Sequence, residues 1–149
     1  MERLNLPAYT FKIERMGNKY TIFDCIRRKH VALTPEEWVR QNVVQYLISE
    51  KHFPQTRINN EISIEFNGLQ KRCDTVVYDN EFNPLMIIEY KAPHISLSQK
   101  TLDQAAVYNL KLNVKYLLLS NGMQHIFCKI DSANKRFEFI QEISDYSML

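Results

Sequence analysis

The chain has 149 residues, 45% hydrophobic and 24% charged, which is the composition of a globular domain and excludes a disordered chain. Its net charge of +2 is too small for a protein that coats nucleic acid non-specifically, so any phosphate binding must be local. Cys25, Cys73 and Cys128 form no CxxC pair and indicate neither a disulfide framework nor a zinc site, while the only glycines, Gly17, Gly68 and Gly122, exclude phosphate loops of the GxxxxGK[ST] and GxGxxG types.

In chain order, "YTFKIERMGNKYTIFD" predicts two short strands around the turn "MGNK", an accessory N-terminal hairpin over about residues 8–24. After the basic stretch "RRKH", a helix is expected over "LTPEEWVRQNVVQYLISEKH", with Thr34 as N-cap, Pro35 at the first position and two acids in the first turn. Val39, Val43, Tyr46 and Leu47 mark its inward stripe. "INNEISIEF", "CDTVVYD" and "PLMIIEY" read as consecutive strands joined at the turns "NGLQ" and "NEFN". "SLSQKTLDQAAVYNLKLN" reads as a second helix, capped by Ser98, with Leu102, Ala105, Ala106 and Leu110 on its apolar face. "KYLLLSN", "QHIFCKI" and "RFEFIQE" complete the order ββ-α-βββ-α-βββ. This is an α/β arrangement, a mixed and mostly antiparallel sheet flanked by helices, expected to form one domain over residues 1–149. The N-terminus lacks an apolar signal core, and no apolar run approaches the roughly 18 residues of a membrane span, so a cytoplasmic protein is expected.

The strand "PLMIIEYKAP" runs from a core-like apolar stretch into Glu89 and Lys91, which share a face while Tyr90 takes the other. With "NEFN" as a four-residue loop, Asp79 pairs with Pro84, Tyr78 with Leu85, and Asp74 falls opposite Glu89. Cross-strand partners stand about 5 Å apart at Cβ, and two like charges there are destabilising unless a cation intervenes. Mg²⁺ suits the place, because it takes one or two carboxylates plus waters and substrate phosphate oxygens. Lys91, about 7 Å further along the strand, could reach a metal-bound water or a phosphate, which points to metal-assisted phosphodiester hydrolysis. A one-residue slip in register would dissolve the pairing, and an isolated ExK triplet is more often ordinary surface charge.

On the first helix Glu36 falls near the centre of the inward stripe and Glu37 lies about 100° away, although either could simply complement the helix dipole. Arg40 is spaced to pair with Glu36. On the second helix Gln104 and Tyr108 stack at i and i+4, with groups able to bond a phosphate, a base edge or each other.

Asp74, Glu89-Tyr90-Lys91 and Gln104-Ala105-Ala106-Val107-Tyr108, in that order, resemble the PD-(D/E)xK nuclease superfamily with the QxxxY motif of its RecB-type branch. More closely, "LTPEEWVRQNVVQYL", "KRCDTVVYD", "IIEYKAP", "LDQAAVYN" and "YLLLSNG" resemble the N-terminal nuclease domain of type I restriction enzyme R proteins, over about residues 15–130. The resemblance implies a restriction-endonuclease-like fold and a DNA-cleaving site that uses Mg²⁺, with Mn²⁺ as a substitute. It implies Asp74 and Glu89 as metal ligands, Lys91 as the catalytic lysine, Glu36 as the helix acid with Glu37 the alternative, and Gln104 and Tyr108 as the accessory pair. Cys73 stands where the superfamily name has proline. R proteins continue into a helicase-type motor, whereas this chain ends at Leu149, so it is either free-standing or a domain of something longer.

Two functions compete on these residues. One is an endonuclease acting on DNA, alone or with a separate motor or specificity subunit, and without a nucleotide cofactor of its own. The other is a catalytically silent module that keeps the fold and grips nucleic acid or a partner protein. For substrate phosphates, "RRKH", "QKR", Lys100, Lys111 and Lys115 are the candidate attractors, while His94 is given no role.

Overall fold

Thr34 and Pro35 begin the first helix as their residue types require: the Thr34 hydroxyl accepts from the Glu37 amide at 3.0 Å, and Pro35 occupies the first turn, where no intrahelical donor is needed. The helix, α1, spans Pro35–Lys51 and ends at His52 in the left-handed conformation. The computed structural model describes residues 1–149, the side chain of Phe66 excepted.

Before α1 lie β1 (Ile13–Met16), β2 (Lys19–Asp24) and β3 (Lys29–Ala32), a three-stranded antiparallel sheet in place of the expected hairpin. The third strand falls within the basic stretch. Its only apolar side chain of any size is Val31, which pairs with Ile22, so the alternation that marks a strand is too short to read.

The main sheet has six strands in the order β4 (Ile58–Phe66), β5 (Leu69–Tyr78), β6 (Pro84–Tyr90), β7 (Tyr116–Ser120), β8 (His125–Asp131) and β9 (Arg136–Ile140). Every pairing is antiparallel except β6 with β7, which α2 (Gln99–Leu112) connects as a crossover. This is the mixed α/β fold expected from the sequence. Val39, Val43 and Leu47 of α1 bury against Val77, Met86, Ile88 and Leu118, and Leu102 and Ala106 of α2 bury against Leu117 and Leu119 on the other face. Each such aliphatic side chain contributes about 1.5–3 kcal/mol when fully buried. The sheet is thereby fixed between two helices. No helix among the described residues is long and apolar enough to cross a membrane.

Two details of the β4–β5–β6 meander set the site. The β4–β5 turn is only Asn67–Gly68, both in the left-handed region, as a tight two-residue hairpin demands. Lys71 and Arg72 are therefore strand residues and not part of a longer turn. In addition, face alternation breaks near Asp74. Cys73 clusters with Val76 and Ile87, and Ile62 and Ile64 join them, although Cys73 and Val76 are an odd number of residues apart. Across from Asp74, Glu61 has φ +56°, a conformation that costs a side-chain-bearing residue energy and turns β4 at that step.

Candidate active site

The β5–β6 register places the two central carboxylates. Thr75 pairs with Ile88, Val76 with Ile87 and Val77 with Met86, so one further step sets Asp74 across from Glu89. The expected pairing of Tyr78 with Leu85 does not form: a bulge between Val77 and Tyr78 brings Tyr78 opposite Pro84. The Asp79 amide likewise bonds the Asn83 carbonyl and not Pro84, and the bulge, on the loop side of the pairs that position the carboxylates, offsets this one-residue shift so that those pairs keep the expected register.

Asp74 is half-buried and its Oδ2 accepts from the Tyr90 amide at 2.9 Å. Glu89 is also half-buried, and its Oε1 lies 2.5 Å from Lys71 Nζ. Burial first, and then the negative charge of Asp74, push the Glu89 carboxyl up to about 7, with Lys71 pulling the other way. The site is short of positive charge. Two hard oxygen donors that repel each other suit Mg²⁺ or Mn²⁺, so the residues present fit the metal that the resemblance implies. No third His, Cys, Asp or Glu joins them in a metal-binding group among the described residues, so waters and phosphate oxygens would fill the remaining positions.

The raised Glu89 carboxyl has a signed consequence for stability. Between its ordinary value of 4.5 and about 7 the folded chain keeps a proton that the unfolded chain releases, so stability from this group falls as pH rises through that window. Glu89→Gln, which keeps an acceptor for Lys71, is expected to exceed wild type by about 1–3 kcal/mol at pH 8 without metal, and to match it near pH 4.5. Urea denaturation at the two pH values checks this.

The first helix contributes Glu36 and Glu37 to different tasks. The Glu36 carboxyl is raised by burial and then by the charge of Asp74, while Lys91 and Arg40 act in the opposite sense, so it shares a field with the strand residues. Glu37 is buried and turned away, accepting from Arg27 at 2.7 Å and Gln41 at 3.0 Å. The expected Glu36–Arg40 pair does not form. Arg40 Nε instead lies 3.2 Å from Glu37, Nη2 bonds Glu61 at 2.5 Å, and Nη1 donates to the Asp74 carbonyl at 2.8 Å. Its guanidinium also stands over the Tyr90 ring, 5.6 Å from the centroid.

Lys91 is exposed just beyond the end of β6, its amide donating to the Ser120 carbonyl at 2.9 Å. Tyr108 is half-buried on α2, and its hydroxyl donates to the Gln70 carbonyl at 2.9 Å. Gln104, one turn earlier, is exposed and stands apart from that bond. Of the expected phosphate attractors, Arg27 is committed to Asp24 and Glu37, and Arg72 to Glu61, whereas Arg28 and Lys29 remain exposed. None of the site residues lines the concavity of about 930 Å³ around Lys115, Lys129 and Arg136.

A continuous polar chain that sequence reasoning missed runs behind the site. Glu37 binds Arg27 and Arg27 binds Asp24. Asp24 accepts from Asn60 at 3.0 Å, Asn60 accepts from Thr75 at 2.7 Å, and Thr75 accepts from the Tyr90 hydroxyl at 2.9 Å. Tyr90 then donates its amide to Asp74. The chain joins the N-terminal sheet to β5 and β6, the two strands that carry the carboxylates. Asp24, the fully buried last residue of β2, was the one residue whose spacing, two and three before the amides it caps, could have signalled it.

The fold and site describe a mixed α/β domain with an acidic pair on two neighbouring interior strands of its central sheet. The family model for the type I restriction enzyme R protein N terminus matches residues 35–144, and the chain belongs to that family. Among solved structures it is similar to a fragment assigned as the HsdR subunit of a type I restriction enzyme from Vibrio vulnificus YJ016, with 20% identity and a TM-score of 0.52 over 75% of this chain. The match spans 24% of that chain, about a quarter of its length. No curated protein matches.

Proposed function

We propose that the chain carries a metal-dependent DNA endonuclease site of the PD-(D/E)xK type. The observation that supports it most is the in-register facing of Asp74 and Glu89 on β5 and β6, with Glu89 held up to about 7 by burial and by its neighbour's charge. Asp74 and Glu89 would hold Mg²⁺, or Mn²⁺ in its place. When bound, the ion supplies a Lewis acid for the scissile phosphate and lowers the pKa of its bound water.

The chain's own groups do the rest. Tyr90 fixes the rotamer of Asp74 by donating its amide to Oδ2. Lys91, exposed just beyond the end of the strand that carries Glu89, orients the attacking water and steadies charge on the phosphate. Glu36, which feels the charges of Asp74 and Lys91 from α1, is the helix acid beside the pair and not a third metal ligand, and Tyr108 with Gln104 forms the accessory pair on α2. By its family, the domain works on DNA with the other subunits of a type I restriction system.

A second reading is a silent DNA-binding or partner-binding module. It is favoured by Lys71, which already neutralises Glu89 without a metal. Incubation of plasmid and linear DNA with Mg²⁺ or Mn²⁺ separates the two. Cleavage that needs the metal and disappears in Asp74→Ala supports the nuclease. Cleavage that persists unchanged in Asp74→Ala and Lys91→Ala sinks the site assignment.

A further inference from the structure

Lys71 has a place that the sequence motif does not give it. Its Nζ lies 2.5 Å from Glu89 Oε1 and 3.2 Å from the Arg72 carbonyl, and it stands 5.4 Å from the centre of the Tyr108 ring. The Tyr108 hydroxyl is tied to the Gln70 carbonyl, so the ring is a fixed wall beside the ammonium. Lys71 and Glu89 are both largely enclosed, with 20% and 18% of their side chains exposed. The contact exists because alternation breaks at Asp74 and turns Lys71 toward the face that carries Glu89 and α2.

A metal ion between Asp74 and Glu89 would bring two positive charges to an oxygen that Lys71 now holds with one. Both cations cannot keep that oxygen at contact distance. Lys71 has a long unbranched stem, and a second neutral surface, the Tyr108 ring, lies within its reach. A phosphate oriented by the metal would stand beside the displaced ammonium and offer it the anionic oxygen it has lost.

We propose that Lys71 is a second functional lysine: it occupies Glu89 as a stand-in cation, and on metal binding it moves along Tyr108 to bind a phosphate oxygen of the substrate DNA. This rests on the nuclease reading of the Asp74–Glu89 pair. It distinguishes Lys71 from Lys91, which is exposed and holds no carboxylate in the described contacts.

The test is calcium titration by calorimetry on the whole chain, comparing wild type with Lys71→Met, which keeps the aliphatic stem against Tyr108. Circular dichroism confirms that both are folded. Removing the competing ammonium is expected to tighten Ca²⁺ binding by about tenfold and, with Ca²⁺ present, to weaken duplex DNA binding by about tenfold. In wild type labelled with ¹³C at lysine, the Lys71 ε-methylene signal is expected to move on Ca²⁺ addition. Ca²⁺ affinity that is unchanged or weaker in Lys71→Met, while Asp74→Ala abolishes it, overturns the role of Lys71 and leaves the metal site standing. Binding equal in wild type and Asp74→Ala, or absent from both, overturns both readings.

Discussion

Lys91→Ala is expected to lower metal-dependent DNA cleavage by about 10²–10⁴-fold while leaving metal affinity within about threefold of wild type. The separation follows from where the groups sit. Asp74 and Glu89 are half-buried and face each other across β5 and β6, whereas Lys91 is exposed at the mouth of the same strand, its backbone fixed to Ser120. A residue that contacts the water and the developing phosphate charge, and not the ion, acts in the transition state only. Single-turnover cleavage and calorimetry on the same preparation check the split. Equal losses in cleavage and in metal affinity would make Lys91 a structural element of the metal site.

Asp24→Ala is expected to destabilise the chain by about 3–5 kcal/mol, among the largest losses from one substitution. Asp24 is fully buried and accepts from the Ile26 and Arg27 amides, from the Asn60 amide group and from Arg27 Nε. Its loss leaves Arg27, bonded otherwise to Glu37, as a partly uncompensated buried charge. Burial alone would raise the Asp24 carboxyl, but hydrogen bonds from Arg27 and Asn60 outweigh it and hold it below the usual carboxylate range. The sign is opposite to that of Glu89: stability from Asp24 is present above its unfolded value of 3.8 and is lost as pH falls through the lower folded value. Urea denaturation at pH 7 measures the loss. Because Asp24 is joined to Tyr90 through Asn60 and Thr75, the same variant should also loosen Asp74.

What could be read in the sequence and what could not divide along physical lines. "PLMIIEY" was legible because a parallel partner, β7, and a helix on each face make it apolar up to Glu89, and its bounds in the structure are those of the quoted run. The facing of Asp74 and Glu89 follows from counting back from a four-residue loop, and it holds because the bulge between Val77 and Tyr78 offsets a one-residue shift beside the loop, where Tyr78 pairs with Pro84. The helix caps Thr34 and Ser98 were legible from local chemistry alone.

The rest depends on contacts between distant segments. Lys71 could not be brought to Glu89 by counting alternate residues, because face alternation along β5 breaks near Asp74. Arg27 stood among the candidate phosphate attractors and is instead held between Asp24 and Glu37. Arg40 is spaced equally well for Glu36 in isolation, but Glu61 and the Asp74 carbonyl draw it the other way. Helical spacing does not contain those partners.

The most direct measurement is Mn²⁺ titration of the wild-type chain at pH 8 by calorimetry, set beside Asp74→Ala and Glu89→Gln. Saturable binding to wild type is expected, weakened at least about tenfold in each variant and weakening in wild type as pH falls below about 7, where Glu89 takes up its proton. Equal affinity in all three proteins would place any bound metal elsewhere and contradict the active site built on Asp74 and Glu89.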